Sequence, residues 1–210
     1  MSEQPTGTLG AGYFDGLYEQ SADPYGFITR WYERRKYAVT VAMLPWARYR
    51  NAFEPGCSIG VLTAQLAPRC DALLSCDGAA AAVAAAQTRT APFPQVTVEQ
   101  RRLPDDWPSD AGPFDLIVFS EVLYYLSDQD LDRTIGLAVD SLAPEGTLLA
   151  VHWRRPVAFH PQAGDEAHAA LAVRPELTLR ADHREPDFLA QAFLRAGPDA
   201  GWVADAEGLT

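Results

Sequence analysis

The sequence has few cysteines, and their spacing does not suggest a metal site or a disulfide framework. Cys57, Cys70 and Cys76 are three in number, and no two of them form a C-x-x-C pair. This pattern excludes a small secreted scaffold held by disulfides and disfavours zinc. Cys57 precedes a predicted helix, where thiol pKa values fall, but we interpret it as a small residue that fills a tight loop rather than as a nucleophile.

The chain also lacks a long hydrophobic run and an excess of basic residues. No segment approaches the roughly 20 consecutive apolar residues of a membrane span, and no basic start precedes an apolar stretch near residue 1. With 17 Lys and Arg against 28 Asp and Glu, the formal net charge is -11, so nucleic acid and anionic membranes are not expected partners. These features predict a cytoplasmic protein that binds a small neutral or cationic molecule. We expect it to be a monomer or a homodimer.

A short loop with two glycines is the main functional signal. It reads Glu-Pro-Gly-Cys-Ser-Ile-Gly over residues 54–60, after a strand predicted at 52–54 and before a helix predicted at 61–67. The loop does not match the dinucleotide fingerprint G-x-G-x-x-G, because the second and third glycines would fall on Ser58 and Val61. This spacing disfavours an NAD-dependent reductase and favours a Rossmann-type site for a cofactor without pyrophosphate.

Strands and helices alternate along the rest of the chain. Apolar runs predict further strands at 72–77, 96–101, 114–119 and 147–153, and two helices are predicted by an alanine-rich stretch at 79–87 and by a capping box at 127–130. This alternation indicates an α/β fold with a parallel sheet and helices on both faces. Runs at 177–179 and 188–194 predict a closing antiparallel hairpin, which completes a mostly parallel, seven-stranded sheet.

The predicted organisation is a single domain over residues 13–195, within the usual size range of one domain. Residues 13–50 are rich in aromatics and arginines and show helical periodicity after residue 31, so we expect a helical lid. Residues 1–12 are predicted to be disordered. Residues 196–210, which are rich in Gly, Asp and Ala, are predicted to be a flexible tail.

Polar residues lie at the ends of four predicted strands, and ligands bind at the carboxyl ends of parallel strands. These residues are Glu54, Asp77, Ser120, Glu121, His152 and Trp153. Asp77 lies 23 residues after Glu54, close to the spacing of roughly 20 at which an acid binds the ribose of an adenosine cofactor. The alternative role of Asp77 is an N-cap of the alanine-rich helix, and the two roles are compatible.

Four motifs together resemble the nodulation protein S family of S-adenosylmethionine-dependent methyltransferases. They occupy residues 53–60, 76–77, 114–118 and 120–126, and the similarity runs from about residue 13 to 195. The named member of this family N-methylates the amino-sugar end of a chito-oligosaccharide. The resemblance implies a Rossmann-like methyltransferase fold, methyl transfer as the activity, S-adenosylmethionine as cofactor with S-adenosylhomocysteine as product, and no metal.

The resemblance also implies a set of cofactor-binding residues. The methionyl part and the ribose are expected at Glu54, Gly56, Cys57, Ser58, Gly60, Asp77 and Gly78, the sulfonium at Ser120 and Glu121, and the adenine near Arg102 and Leu103. Many relatives have an acid where this chain has Arg102, so we expect backbone groups or Asp105 to bind the adenine amino group instead.

Side chains of the lid could complete this site. A sulfonium attracts aromatic faces and a carboxylate attracts an arginine, which makes Tyr25, Trp31 and Arg35 candidate cofactor ligands. The alternative is that Trp31 and its neighbour Tyr32 only pack the helix onto the sheet.

A base near the acceptor helps methyl transfer to an amine, because the attacking nitrogen must be neutral. The catalytic candidates are His152, Glu121 and Tyr124, with His152 preferred for its place at a strand end, and the substrate-binding candidates are Tyr124, Tyr125, Trp153 and His168. His160 and His183 are expected on the surface. The eight-residue spacing of His152, His160 and His168 matches no short zinc motif.

The sequence thus predicts a methyltransferase for a small-molecule acceptor, with N-methylation of an amino sugar or a related metabolite as the preferred reaction. The alternatives are an O-methyltransferase and a catalytically inactive module that binds S-adenosylmethionine. Fold analogy by itself does not decide among these acceptors.

Overall fold

The computed structural model describes residues 6–195, 203–206 and 208–209. Its centre is a seven-stranded sheet formed by β1 (Ala52–Pro55), β2 (Leu73–Asp77), β3 (Val96–Gln100), β4 (Phe114–Ser120), β5 (Leu142–Trp153), β6 (Leu177–Arg184) and β7 (Phe188–Arg195). The strands lie in the order β3-β2-β1-β4-β5-β7-β6. The first five strands of the chain pair in parallel, whereas β7 is antiparallel to both β5 and β6. The predicted sheet and its closing hairpin are confirmed.

Helices cover both faces of the sheet. The helices are α1 (Ala11–Gln20), α2 (Trp31–Ala42), α3 (Val61–Leu66), α4 (Ala80–Thr90), α5 (Asp128–Ser141), α6 (Gly164–Ala172) and the short α7 (Val203–Ala206). Strand β4 explains why two helical layers form, since its side chains alternate between the faces. Leu116 and Val118 pack in the hydrophobic core on the side of α1, α2 and α3, and Ile117 and Phe119 pack in the core on the side of α5 and α6. A continuous apolar run therefore becomes a strand buried on both faces.

Several segments differ from the sequence expectation. Helices α6 and α7 are additional to the predicted elements, and β6 extends to Arg184 rather than ending at 179. Helix α1 lies mostly within the predicted helical lid but begins inside the segment predicted to be disordered. The Leu9 amide donates to the Tyr125 carbonyl at 2.9 Å, which ties residues ahead of α1 to the turn after β4. Residues 1–5 lie outside the described part. Strand β5 begins at Leu142 rather than at 147, because the turn at 144–146 forms an irregularity within the strand. Most of the predicted flexible tail lies outside the described residues.

The topology places a ligand site at the carboxyl end of β1. Strands β2 and β3 extend the sheet to one side of β1, and β4 pairs with its other side. Loops that leave two neighbouring strands in opposite directions create a crevice, and open α/β sheets bind ligands there. Within the described residues, every helix is too short or too polar to cross a membrane.

The close approach of α3 to α4 generates a stability prediction. Gly60 precedes α3 with φ +76°, and a Cβ at this position would lie 2.9 Å from the Ala86 Cα in α4. We expect Gly60→Ala to lower the free energy of unfolding by about 2–4 kcal/mol, through backbone strain and overpacking. Urea denaturation of the ligand-free protein measures this change.

The matched control is Gly136→Ala in α5. A Cβ at Gly136 meets nothing within 4 Å, so this change should raise the free energy of unfolding by about 0.5–1 kcal/mol through helix propensity. If both alanines shift the stability in the same direction, the close contact between α3 and α4 is not the constraint described above.

Candidate active site

A cavity of about 870 Å³ lies above the carboxyl ends of β1, β2, β4 and β5. Helices α1 and α2 form its opposite wall, with side chains such as Tyr18, Tyr32 and Lys36. The cavity is continuous from the glycine loop after β1 to an aromatic wall formed after β4 and β5. It therefore has room for two molecules side by side, one at each end.

The glycine loop adopts conformations that require small residues. Gly56 has φ +75°, and an added Cβ would lie 2.9 Å from a methyl of Val122. Ser58 adopts φ 50°, and its hydroxyl hydrogen-bonds to the Tyr18 hydroxyl of α1. Gly56 thus lines the cavity in close contact with Val122, and the loop is tied to the helical wall.

Asp77 at the end of β2 lies at the base of this loop. One carboxylate oxygen accepts from the Ser58 amide and the other from the Ala79 amide, both at 2.9 Å. Ala79 itself is the N-cap of α4, so the alternative assignment of Asp77 as that cap is wrong. Burial raises the pKa of Asp77 and its hydrogen bonds to backbone amides oppose the shift. Each oxygen keeps a second lone pair for a ligand hydroxyl.

Glu54 is a second buried acid beside the loop. It is 2 % exposed, and its carboxylate accepts a hydrogen bond from the Ser75 hydroxyl at 2.9 Å. Burial raises the pKa of Glu54 to about 7. A partly protonated carboxyl can both donate to and accept from a polar ligand.

The three buried cysteines carry no disulfide. Cys57 lines the cavity, but burial raises its pKa well above the ordinary value. This thiol stays protonated near neutral pH and fills the loop, in agreement with its interpretation from the sequence. Throughout the described ranges, no three His, Cys, Asp or Glu side chains form a group that could hold a metal ion.

Four further residues line the cavity in the segments that follow β2 and β3, namely Gly78, Arg102, Leu103 and Asp105. The Arg102 amide donates to the Asp106 carboxylate at 3.0 Å. Asp105 accepts from Arg133 at 2.6 Å. The structure therefore brings the predicted adenine-binding residues together beside Asp77.

Helix α2 presents different side chains to the cavity from those expected. Trp31 is 69 % exposed, and Arg35 forms a two-pronged ion pair with Glu185 at 2.7 and 2.8 Å; neither lines the cavity. The buried positions are instead 33, 36, 37 and 40, a helical i, i+3, i+4, i+7 face. The prediction that Trp31 and Arg35 face the cofactor is wrong, because both side chains lie on a different face of α2 from the one that meets the cavity.

Two residues near Trp31 take the expected places in the cavity. Tyr25 lines the wall as predicted. Arg30 also lines it, and its guanidinium has neither an ion pair nor a hydrogen bond within the described part of the chain. Gly26 makes room for it, since a Cβ there would lie 2.7 Å from the Arg30 Nε.

A buried group of charges links α2 to the end of β4. The Lys36 ammonium lies 2.5 Å from a Glu121 oxygen and 2.9 Å from a Glu33 oxygen. The second Glu121 oxygen accepts from the Tyr124 hydroxyl at 2.6 Å and from the Trp153 amide at 2.9 Å. Burial lowers the pKa of Lys36, but the two carboxylates outweigh burial and raise it overall. We call these residues the Glu33–Lys36–Glu121 cluster.

The engagement of Glu121 changes its expected role. Three donors occupy its oxygens, and the residue adopts φ 57° at the strand end. Glu121 therefore lines the cavity as predicted, next to Ser120. Its carboxylate accepts a hydrogen bond from Tyr124 and positions that side chain, rather than acting as the catalytic base.

His152 and His168 lie behind the cavity wall. His152 is fully buried, and its Nε2 accepts from the Leu123 amide at 3.2 Å. Its Nδ1 then carries the proton and donates to His168 Nε2 at 3.1 Å, and His168 Nδ1 donates to the Gln191 side chain at 2.8 Å. Neither histidine lines the cavity. The predictions of His152 as the base and His168 as a substrate ligand are therefore wrong, because every ring nitrogen already has a partner.

His160 occupies the position that sequence reasoning gave to His152. It is 8 % exposed and lines the cavity, so its expected surface location is wrong. Its ring stacks on Tyr124 at 4.7 Å and meets Tyr125 edge-on at 4.8 Å. Within the described residues its ring nitrogens make no hydrogen bond, and burial lowers its pKa to about 4. Its loop has no periodicity, so only tertiary contacts could identify it.

The aromatic wall contains the other predicted substrate residues. Tyr124, Tyr125 and Trp153 line the cavity together with His160 and Phe159. His183 lies outside it on β6, in contact with Glu185 at 2.6 Å.

The buried histidine chain generates a pH prediction. Burial lowers the pKa of His168 to about 4, whereas the unfolded value is about 6.5. The stabilisation from neutral His168 is complete above pH 6.5 and is lost as pH falls toward 4. We therefore expect the destabilisation caused by His168→Gln to shrink by about 2 kcal/mol between pH 7 and pH 5. Chemical denaturation at each pH measures the difference from the parent protein.

Comparison with the parent protein matters because Glu54 has the opposite pH dependence. Its pKa is raised, so its contribution to stability grows as pH falls from 7 and is retained by both proteins. Gln129→Ala, at an exposed and non-titrating position of α5, is the control and should give the same difference at pH 7 and pH 5. A constant difference for His168→Gln would contradict its neutral, buried state.

The sequence and fold match known proteins over most of the chain. Residues 18–178 match the family model described as Nodulation protein S (NodS). Nodulation protein S of Bradyrhizobium diazoefficiens is 35 % identical over 135 residues, which cover 60 % of this chain and 61 % of that protein. The Rhizobium tropici protein is 32 % identical over 132 residues, or 60 % and 53 % of the two chains. The matched region thus spans less than two thirds of these curated relatives.

Two solved structures extend the comparison. A Pseudomonas syringae protein with a provisional methyltransferase description is 49 % identical, with a TM-score of 0.70 over 79 % of this chain and 99 % of that one. The N-methyltransferase NodS from Bradyrhizobium japonicum WM9, solved with S-adenosyl-L-homocysteine, is 26 % identical, with a TM-score of 0.76 over 88 % and 100 % of the chains. The chain belongs to the nodulation protein S family.

Proposed function

We propose that this protein is an S-adenosylmethionine-dependent methyltransferase for a small-molecule acceptor. The observation that carries the proposal is one continuous cavity with buried Asp77 and Glu54 at one end and the aromatic wall around His160 at the other. The NodS relative solved with S-adenosyl-L-homocysteine is named an N-methyltransferase. By this relationship we propose N-methylation of an amino sugar or a related metabolite.

The residues at the loop end fit an adenosyl sulfonium cofactor. Asp77 has lone pairs left for the ribose hydroxyls, and the Arg30 guanidinium, which has no hydrogen bond or ion pair within the described residues, can bind the methionyl carboxylate. Gly56 lines the cavity without a side chain of its own. The bound cofactor would supply an electrophilic methyl group on a positively charged sulfur. The protein then needs mainly to align an acceptor with that methyl group and to exclude water.

The aromatic wall suits the acceptor. Tyr124, Tyr125 and Trp153 give it flat surfaces, and the short contact with Glu121 fixes Tyr124. His160 is neutral near pH 7, because burial lowers its pKa to about 4. It can accept a hydrogen bond from an acceptor N–H or O–H, so we propose His160 in place of His152 as the histidine that contacts the acceptor. Its low basicity suits orientation more than full proton removal.

The expected cytoplasmic location, the absence of nucleic-acid partners and the monomeric or homodimeric state stay predictions. Catalysis itself is tested with acceptor libraries of amines, amino sugars and alcohols. Cofactor binding without turnover on any of them would favour the inactive module, and turnover on hydroxyls alone would favour O-methylation.

Calorimetry tests the cofactor assignment through Asp77. We expect the parent protein to bind S-adenosylmethionine and S-adenosylhomocysteine but not NADH. Asp77→Asn should weaken both by about 10–100-fold, the loss expected for a charge-assisted hydrogen bond. Asp71→Asn is the control, because Asp71 pairs with Arg48 away from the cavity. Unchanged affinity in Asp77→Asn would remove Asp77 from the ribose site.

Arg30 gives a second test of the same pocket. We expect Arg30→Met to weaken S-adenosylmethionine and S-adenosylhomocysteine equally, by about tenfold or more, because both carry the methionyl carboxylate. Arg34→Met removes a charge from the exposed face of α2 and should leave both affinities unchanged. Equal losses in the two variants would indicate a general effect of positive charge instead.

A further inference from the structure

The Glu33–Lys36–Glu121 cluster has an unbalanced charge. Two carboxylates share one ammonium, at 2.9 and 2.5 Å, so the cluster carries a net charge of minus one when all three groups are ionised. Lys36 is 2 % exposed and Glu33 is 7 % exposed, and both line the cavity with Glu121. Solvent screens such buried charges poorly.

Glu33 supplies the excess negative charge. The shorter contact joins Lys36 to Glu121, whose other oxygen is held by Tyr124 and by the Trp153 amide. Among the described residues, Glu33 has a contact only with the same ammonium, at the longer distance. Burial, and to a smaller extent repulsion by Glu121, raise the pKa of Glu33, whereas Lys36 and, more weakly, Arg30 favour its ionised form.

Two of the other cations on the cavity wall are already paired, and a third, Arg102, is exposed and lies at the adenine end of the cavity. Arg101 lies 2.6 Å from Glu99, and Arg155 lies 2.6 Å from Asp187. In the proposed function, Arg30 is neutralised by the methionyl carboxylate. The uncompensated charge near the strand end that carries Glu121 is therefore suited to a ligand with one positive charge.

We infer that Glu33 makes the cofactor pocket select the charged sulfonium over the neutral thioether product. The inference rests on the proposed function. In methyl transfer, the acceptor lone pair forms the new bond to carbon, and the electron pair of the broken S–C bond stays on sulfur. The positive charge thus passes to the acceptor, which releases it as a proton. Once the methyl group is transferred, the sulfur is neutral and Glu33 no longer attracts it. This loss favours the exchange of product for fresh cofactor.

The test compares three ligands in Glu33→Gln by calorimetry: S-adenosylmethionine, S-adenosylhomocysteine, and sinefungin, which has an ammonium group near the sulfonium position. We expect Glu33→Gln to weaken the two cations about tenfold, equivalent to 1.4 kcal/mol. S-adenosylhomocysteine should change less than about threefold, since it gains little from the charge. Glu33→Met, a second neutral variant of similar volume, should show the same selective loss.

Two controls separate the charge of Glu33 from its shape and from the charge of the whole protein. Glu33→Asp keeps the carboxylate and should recover most of the selectivity. Glu19→Gln removes an exposed acid of α1 outside the cavity and should behave as the parent protein.

The outcomes distinguish this inference from the proposed function. If the neutral variants weaken all three ligands equally, or none of them, the inference is overturned while the cofactor assignment stands. If the parent protein binds none of the three ligands, the proposed function itself fails, and the inference fails with it.

Discussion

The ion pair between Lys36 of α2 and Glu121 at the end of β4 joins the helical wall to the sheet. The same Glu121 carboxylate holds Tyr124 of the aromatic wall and the Trp153 amide at the end of β5. A buried charge is costly to desolvate, so loss of either partner would leave an uncompensated ion. The position of α2, the end of β4 and the acceptor wall are thus coupled through one carboxylate.

A second polar connection supports the aromatic wall from behind. The chain from the Leu123 amide through His152 and His168 to Gln191 joins the turn that carries Tyr124 to α6 and β7. All of its members are buried, and each histidine is neutral with a defined tautomer. Because each donor has one acceptor, the network favours a single arrangement of the wall, and these histidines act as structural residues.

The cofactor end of the cavity is built from groups that cost the free protein stability. Burial raises the pKa of Glu54 to about 7 and also raises that of Asp77, so their charged forms are disfavoured without a ligand. Ser58 and Glu121 adopt left-handed backbone conformations at the same rim. Strain and buried charge of this kind concentrate at binding sites. Ligand binding offsets these costs, because a molecule that binds only the folded state stabilises it.

The sequence by itself determined the sheet, the glycine loop and Asp77. The apolar run of β4 and the small residues of the loop act through local backbone preferences and spacing, which are readable along the chain. Only the tertiary structure decided which face of α2 meets the cavity and which histidine borders it. Glu33 and Lys36 look like surface charges in sequence, yet Glu121, 85 residues beyond Lys36, makes their burial possible. Likewise, His152 forms a hydrogen bond with His168 behind the cavity wall, whereas His160 stacks on Tyr124 and borders the cavity. The burial of a polar side chain depends on a distant partner, which local patterns do not encode.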